Sequence, residues 1–299
     1  MSRRGTLLFA AMCVIWGIPY LLIKVAVRDL SPAMLVFSRT AIAAIVLLPL
    51  AARRGDLQPL TSRWKPLLAY TAVELAIPWL LLSTAEQKLP SSLTGLLLAA
   101  VPLVGFAIAS RIGQDHSLGT RNAAGLVVGL VGVGALVGFD GIGSDLPSVL
   151  MMGVVVVGYA TGPLILARSL HDMPGLGVVA ASLGLTATVY APIALFDAPT
   201  SAPSWRVVAS VVVLALVCTA VGFMVFFELI QEVGPVRATI FTYVNPAVAL
   251  LLGVVFLHES LGVASFVGFG LVLAGSVLAT ARPAVVAPEL EPACAAAEP

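Results

Sequence analysis

The 299-residue chain is 60% hydrophobic and only 10% charged, with a formal net charge of +1 and a mean hydropathy of +1.06. Soluble domains carry charge on about 25% of their residues, so this composition excludes one, and the near-neutral balance gives no footing for a nucleic-acid partner. An integral membrane protein remains, whose helices each need about 20 mostly apolar residues to cross the hydrocarbon layer.

Apolar runs between charged or Gly/Pro breaks predict ten helices, near residues 6 to 27, 32 to 51, 66 to 86, 91 to 110, 121 to 138, 147 to 167, 175 to 196, 206 to 230, 236 to 257 and 262 to 281. They are continuously apolar rather than alternating, which favours helices over outer-membrane strands. The first run follows Met1-Ser2-Arg3-Arg4 as a secretory signal would. It is too long for one, lacks a small-residue cleavage site, and holds Trp16, Pro19 and Tyr20. The second run contains Arg39, the third Glu74, Pro78 and Trp79, and the fourth Pro102. In the fifth, Gly125 and Gly129, then Gly134 and Gly138, recur at the spacing that lets helix backbones approach. That spacing serves contact within the bundle or a homodimer face. The sixth run carries Tyr159 and Pro163, the eighth Phe223, Phe226 and Phe227, and the ninth Tyr243, Asn245 and Pro246. The ninth and tenth are separated only by His258 to Leu261. Residues 283–299, rich in Pro, Ala and Glu, read as a disordered cytoplasmic tail.

Basic residues fall mostly on one side of this alternation. With a cytoplasmic N-terminus, the inside holds Arg3, Arg4, Arg53, Arg54, Arg63, Lys65, Arg111, Arg121, Arg168, Arg237 and Arg282, the outside only Lys24, Arg28, Lys88 and Arg206. The Lys/Arg bias sets orientation, so both termini are expected inside. Cys13, Cys218 and Cys294 give no disulfide framework, and His116, His171 and His258 sit singly at helix ends. No metal or other cofactor is expected.

Residues 98–115, "LAAVPLVGFAIASRIGQD", align with 242–259, "TYVNPAVALLLGVVFLHE", at one constant offset that pairs Pro102 with Pro246 and Asp115 with Glu259. The same offset pairs Pro19 with Pro163, Lys24 with Arg168 and Gln87 with Gln231, and sets Gly222 against Pro78. Two copies are therefore expected, over residues 1–140 and 141–282. Five spans end on the opposite side from where they begin, so the second copy enters upside down, as an inverted repeat. In such a frame, interrupted helices at matching positions point to a midplane site. Each proline removes a backbone donor and displaces the carbonyl four residues earlier. Pro19, Pro78, Pro102, Pro163 and Pro246 are accordingly expected as hinges or cavity-lining kinks, with bends that merely improve packing as the alternative.

A charge at the bilayer centre is unfavourable by about 2.5 to 3.5 kcal/mol, so Arg39 and Glu74 should face the interior. Two readings stand. Arg39 holds a substrate carboxylate while Glu74 carries a proton or meets an amine, or the two form a structural ion pair. Trp16, Tyr20, Trp79, Tyr159, Phe227, Tyr243 and Asn245 complete the candidate cavity, as core packing or as ligand contacts. Trp64 and Trp205 read as interface anchors. Asp115 and Glu259 cap or gate by their matching places.

"VIWGIPYLLIK" (14–24), "FSRTAIAA" (37–44) and "NPAVALLLGVVFLHESLG" (245–262) resemble the first helix, second helix and Pro-centred helix of EamA-type proteins of the drug/metabolite transporter superfamily. The first half departs at "IGQDHSLG", where Asp115 stands with an extra residue. The resemblance spans roughly residues 6–281 and implies export of small metabolites, amino acids or drugs across the inner membrane. The spans hold no nucleophile with its base, paired aspartates or metal cluster, so no enzyme is expected, and no phosphate-cradling loop for ATP drive. The expectation is a secondary-active or facilitative transporter, monomer or homodimer, working on a small-molecule substrate within the lipid bilayer, with proton coupling open. A receptor or structural membrane subunit is the alternative.

Overall fold

The computed structural model describes residues 2–111, 120–140, 145–199, 201–234, 238–260 and 262–280, and every regular element among them is helical. In chain order these are α1 (Arg3–Ala26), α2 (Pro32–Arg54), α3 (Gln58–Ala85), α4 (Ser91–Arg111), α5 (Thr120–Leu136), α6 (Leu146–Ser169), α7 (Gly175–Phe196), α8 (Trp205–Val233), α9 (Phe241–Leu257) and α10 (Val263–Thr280). Eight are long and apolar enough to cross a membrane; α5 and α9 are shorter apolar helices. The tail, Arg237 and the loop bearing Asp115 and His116 lie outside the described residues.

Helix ends follow local chemistry. Ser2 and Ser31 accept from the N–H groups of Gly5 and Met34 at the starts of α1 and α2. Gly55, at φ 74°, terminates α2 in the left-handed conformation behind Arg53 and Arg54. The narrow break between α9 and α10 is made by His258, also left-handed at φ 55°. Asp145, before α6, accepts from Lys88 Nζ at 3.0 Å and from the Ser148 hydroxyl at 2.8 Å. These two donors, Lys88 first, hold its carboxyl below the usual carboxylate range.

Outward faces carry Ile45, Leu130, Leu150, Phe256 and Val267, all exposed, as a lipid-facing surface requires. Inside, α5 packs on α10, α2 on α7, α4 on α9, α3 on α6 and α8 on α1. Exchanging each helix for the one five positions along maps the first three pairs onto themselves and α3–α6 onto α8–α1. The α5–α10 seam is the tightest. Gly125 lies so close to Gly275 and Ala279 that an added Cβ would strike backbone, a Cβ on Gly275 would in turn strike the Gly129 backbone, and Gly132 meets Gly268 and Val272 in the same way. Asn122 Nδ2 donates to the Ala279 carbonyl at 2.6 Å across it. The four-residue glycine spacing therefore serves contact within the bundle, while Gly134 faces open space.

Three interrupted helices have identifiable causes. In α3 the turn over Thr71–Ala76 widens to a π-helix, and Ile77 N–H bonds the Ala72 carbonyl. Pro78 has no N–H to offer Glu74, which lies four residues earlier. Beside it, the Ala76 carbonyl accepts from the Tyr190 hydroxyl at 3.0 Å. In α8 the π-helical stretch is Leu214–Val221, and Gly222 N–H reaches back to Val217. The Cys218 carbonyl thus freed accepts from Trp16 Nε1 at 3.0 Å, a side chain inserted into the helical ladder. Gly222 makes room, since a Cβ there would stand 2.6 Å from that nitrogen. α1 breaks at Trp16–Ile18, just before Pro19.

The other prolines behave less uniformly. Short 3₁₀ turns, Leu98–Ala100 and Thr239–Tyr243, precede Pro102 and Pro246. Pro246 then occupies the first turn of the α-helix Asn245–Leu257, where a missing N–H is harmless. Pro163 is the exception to the expected kinks. It lies inside an uninterrupted Leu146–Ser169 and is exposed, so its pairing with Pro19 does not carry over to backbone shape.

Candidate functional site

The two π-helical stretches deliver the polar groups of the interior. Arg39 on α2 donates from Nε to Thr219 Oγ1 at 2.9 Å, and Thr219, in the α8 π segment, passes its own proton to the Leu214 carbonyl at 2.8 Å. The guanidinium lies over the Trp79 ring, 3.7 Å from its centroid. Trp79 is buried, so this cation–π stack is shielded from water. Nε makes the hydrogen bond recorded for Arg39 among the described residues. Its two terminal nitrogens thus stay available to an anion, for which a planar guanidinium is suited.

Glu74 stands in the other π segment. Its carboxylate presses against Gly162 of α6, where any Cβ would collide with Oε2. That oxygen is buried without a hydrogen-bond partner. No ion pair joins Glu74 to Arg39 among the described residues, so the structural-pair alternative is not what the fold adopts. Tyr159 lies within electrostatic range of both, and Tyr20 within range of Arg39. Tyr159 also packs against two of the three hydrophobic clusters. Arg39, Trp79, Glu74, Tyr20 and Tyr159 therefore gather in one interior region.

The remaining candidates make contacts of their own. Trp16 is a packing residue, edge-on to Phe223 and Phe241 with centroids 5.4 and 5.1 Å away and tilted against Phe226 at 5.1 Å. Phe227 bridges that aromatic cluster and α7, stacking on Phe223 at 6.4 Å and lying against Gly175. Asn245, its amide turned so that nitrogen faces acceptors, donates to the Phe241 and Cys13 carbonyls at 3.2 Å each and ties α9 to α1. Tyr243 sits outside the group, its hydroxyl 3.3 Å from Thr280 Oγ1 on α10.

A second polar group lies at the bundle end where α1, α3 and α9 finish and α4 starts; of its acids, sequence reasoning named Glu259 as a cap or gate and passed over Glu86. Lys24 Nζ donates to the carbonyls of Glu86 and Leu89 at 2.6 and 2.8 Å, capping the C-terminus of α3. Glu259 caps α4 by accepting from Ser91 N, Ser92 N and both serine hydroxyls. Glu86, fully buried, has no partner for either carboxyl oxygen. The signal available was "LPSS" opposite the acid closing α9. Of the positions matched to this group at the constant offset, Asp115 lies outside the described residues, while Arg168 and Ile230 stand where Lys24 and Glu86 do.

A family model described as the EamA-like transporter family matches the chain twice, over residues 3–138 and 146–281. The uncharacterized inner membrane transporter YedA of Escherichia coli K12 is 28% identical over 301 residues, covering 95% of this chain and 94% of that protein. The uncharacterized transporter YvbV of Bacillus subtilis 168 is 22% identical, covering 94% and 93%. A solved crystal structure superposes with a TM-score of 0.66 at 21% identity, covering 92% of this chain and 96% of that one, and so shares the fold.

Proposed function

Because the chain belongs to the EamA-like transporter family, we propose that it is a secondary-active or facilitative transporter of the bacterial inner membrane that exports small amphiphilic metabolites, with amino acids as the expected class. The observation that carries this reading is Arg39, held from behind by Thr219 and Trp79 with its terminal nitrogens unspent inside the bundle. Such a group receives a carboxylate. Glu74, unpartnered in the same interior, meets an amine or carries a proton, and Tyr20 and Tyr159 offer aromatic walls with polar tips.

Alternating access follows from the repeat. Two successive family matches, helix pairs that exchange under a shift of five, and π segments and 3₁₀ turns at corresponding places all support two inverted five-helix units. Residues 1–140 form the first unit and 141–282 the second, ten spans in all. The excess of Lys and Arg on one side supports cytoplasmic termini. In this orientation Lys24, Glu86 and Glu259 lie at the outer end.

Counterflow in proteoliposomes tests the reading, with purified chain and a panel of labelled amino acids and small metabolites, each with and without an imposed pH gradient. Uptake of one class above empty liposomes is expected, and Arg39→Met should abolish it while leaving elution and melting unchanged. Silence across the panel from folded protein would favour a receptor or structural subunit.

A further inference from the structure

Glu86 is a carboxyl that the substrate site does not use and that the fold treats unusually. It is 0% exposed, and neither carboxyl oxygen has a hydrogen-bond partner. A buried carboxylate without donors is strongly disfavoured, whereas a neutral acid tolerates the same place far better. Its surroundings give the same answer by counting charge. The charged and titratable groups facing it are Lys24 and Tyr20 on α1 and Glu259 beyond α9. α4 adds hydroxyls, those of Ser91, Ser92 and Thr94, all buried. Lys24 is spent on two backbone carbonyls, and Glu259 is filled by two N–H groups and two hydroxyls. One cation and one anion cancel, so the closed arrangement has room for Glu86 only as the neutral acid.

We infer that Glu86 is a proton-binding site that latches the outer end of the bundle: protonated, it lets α1, α3, α4 and α9 close over it, and ionised, it drives them apart. The step balances simply. The carboxyl O–H breaks, the proton passes to external water, and the carboxylate left behind draws the Lys24 ammonium away from the Glu86 and Leu89 carbonyls. Those bonds hold the turn between α3 and α4, and Glu259 holds α4 to α9. Losing them frees the α3–α4 turn from α1, and the new negative charge beside Glu259 works against the α4–α9 contact that joins the two halves, giving the separation an outward opening requires. External protons then favour closure, and thus the return of the emptied carrier.

This rests on the orientation proposed above, and the experiment separates the two. Thr94, fully buried one turn into α4, is replaced by cysteine. A membrane-impermeant maleimide is applied to intact cells at a series of external pH values, with labelling read by peptide mass spectrometry. Each rate is normalised to that of Gln87→Cys, exposed beside it, so that thiol ionisation cancels. The normalised rate is expected to be low in acid and to rise by up to about tenfold per pH unit as the latch opens. In Glu86→Gln, which mimics the protonated form, it should stay low at every pH. A flat profile with native Glu86 overturns the latch, as does the same rise in Glu86→Gln. Should Glu86→Gln fail to fold, a flat native profile still overturns the latch. Labelling reached only from the cytoplasmic face of inverted vesicles overturns the orientation instead.

Discussion

The guanidinium carbon of Arg39 lies 3.7 Å from the centroid of the Trp79 ring, and the same side chain reaches Thr219 across the bundle at 2.9 Å. Stack and hydrogen bond fix a plane and a direction, which a lysine cannot copy. Arg39→Lys is expected to weaken substrate affinity at least about tenfold, since a desolvated cation–π contact contributes about 2 kcal/mol. Trp79→Leu should do the same. Half-saturation in counterflow checks both, and unchanged values would remove Arg39 from the site.

Glu74→Gln keeps the shape and removes the charge. If Glu74 carries the proton, pH-driven uptake disappears while exchange at equal pH persists. If it meets a substrate amine, both fall together. Loss of folded protein instead would assign Glu74 a structural role.

The α5–α10 seam admits no side chain at Gly125, where a Cβ would strike the Ala279 backbone. Gly125→Val is therefore expected to abolish the monodisperse peak in fluorescence-detected size exclusion. Gly134→Ala, with open space around it, should be tolerated and could add up to about 1 kcal/mol through helix propensity. Equal outcomes at the two positions would contradict the seam.

Glu259 accepts four hydrogen bonds at the N-terminus of α4. Glu259→Ala leaves two backbone donors and two buried hydroxyls without it, and should cost about 1–2 kcal/mol. Glu259→Gln should fall between that and the native protein, because one oxygen remains to accept. Thermal melting in detergent gives the order.

Pro246 and Pro163 each match a first-half proline at the constant offset, Pro102 and Pro19, yet sit in different backbones. Pro246→Ala permits the 3₁₀ turn Thr239–Tyr243 to become α-helical and is expected to slow transport with little change in expression. Pro163→Ala, inside a helix already continuous, should leave transport unaltered and raise thermal stability. Equal slowing by both would restore the paired-hinge reading.

Several features were legible because their causes are local. Bilayer-length helices follow from runs of apolar residues, and the breaks in α1 and α3 from Pro19 and Pro78. The placement of Arg39 inside followed from the poor tolerance of lipid for charge. The π segments of α3 and α8 fall at positions that the constant offset relates. What misled was the assumption that like residues behave alike. Pro163 leaves its helix intact, while Trp16 bonds the α8 backbone and Asn245 ties α9 to α1.

The sequence by itself determined that this chain lives in a bilayer as a bundle of helices and that α1 and α3 break beside Pro19 and Pro78. These depend on residues within a turn or two of one another. Only the tertiary structure decided partners: that Arg39 is held by Thr219 and Trp79 instead of Glu74, that Glu259 caps a helix some 170 residues earlier (separation 168), and that Glu86 is sealed away from donors. A hydrogen bond or buried carboxyl is defined by what lies within about 3 Å, and helix-to-helix register sets that distance. Apolar helices look alike from either face, so the register is invisible until they are packed.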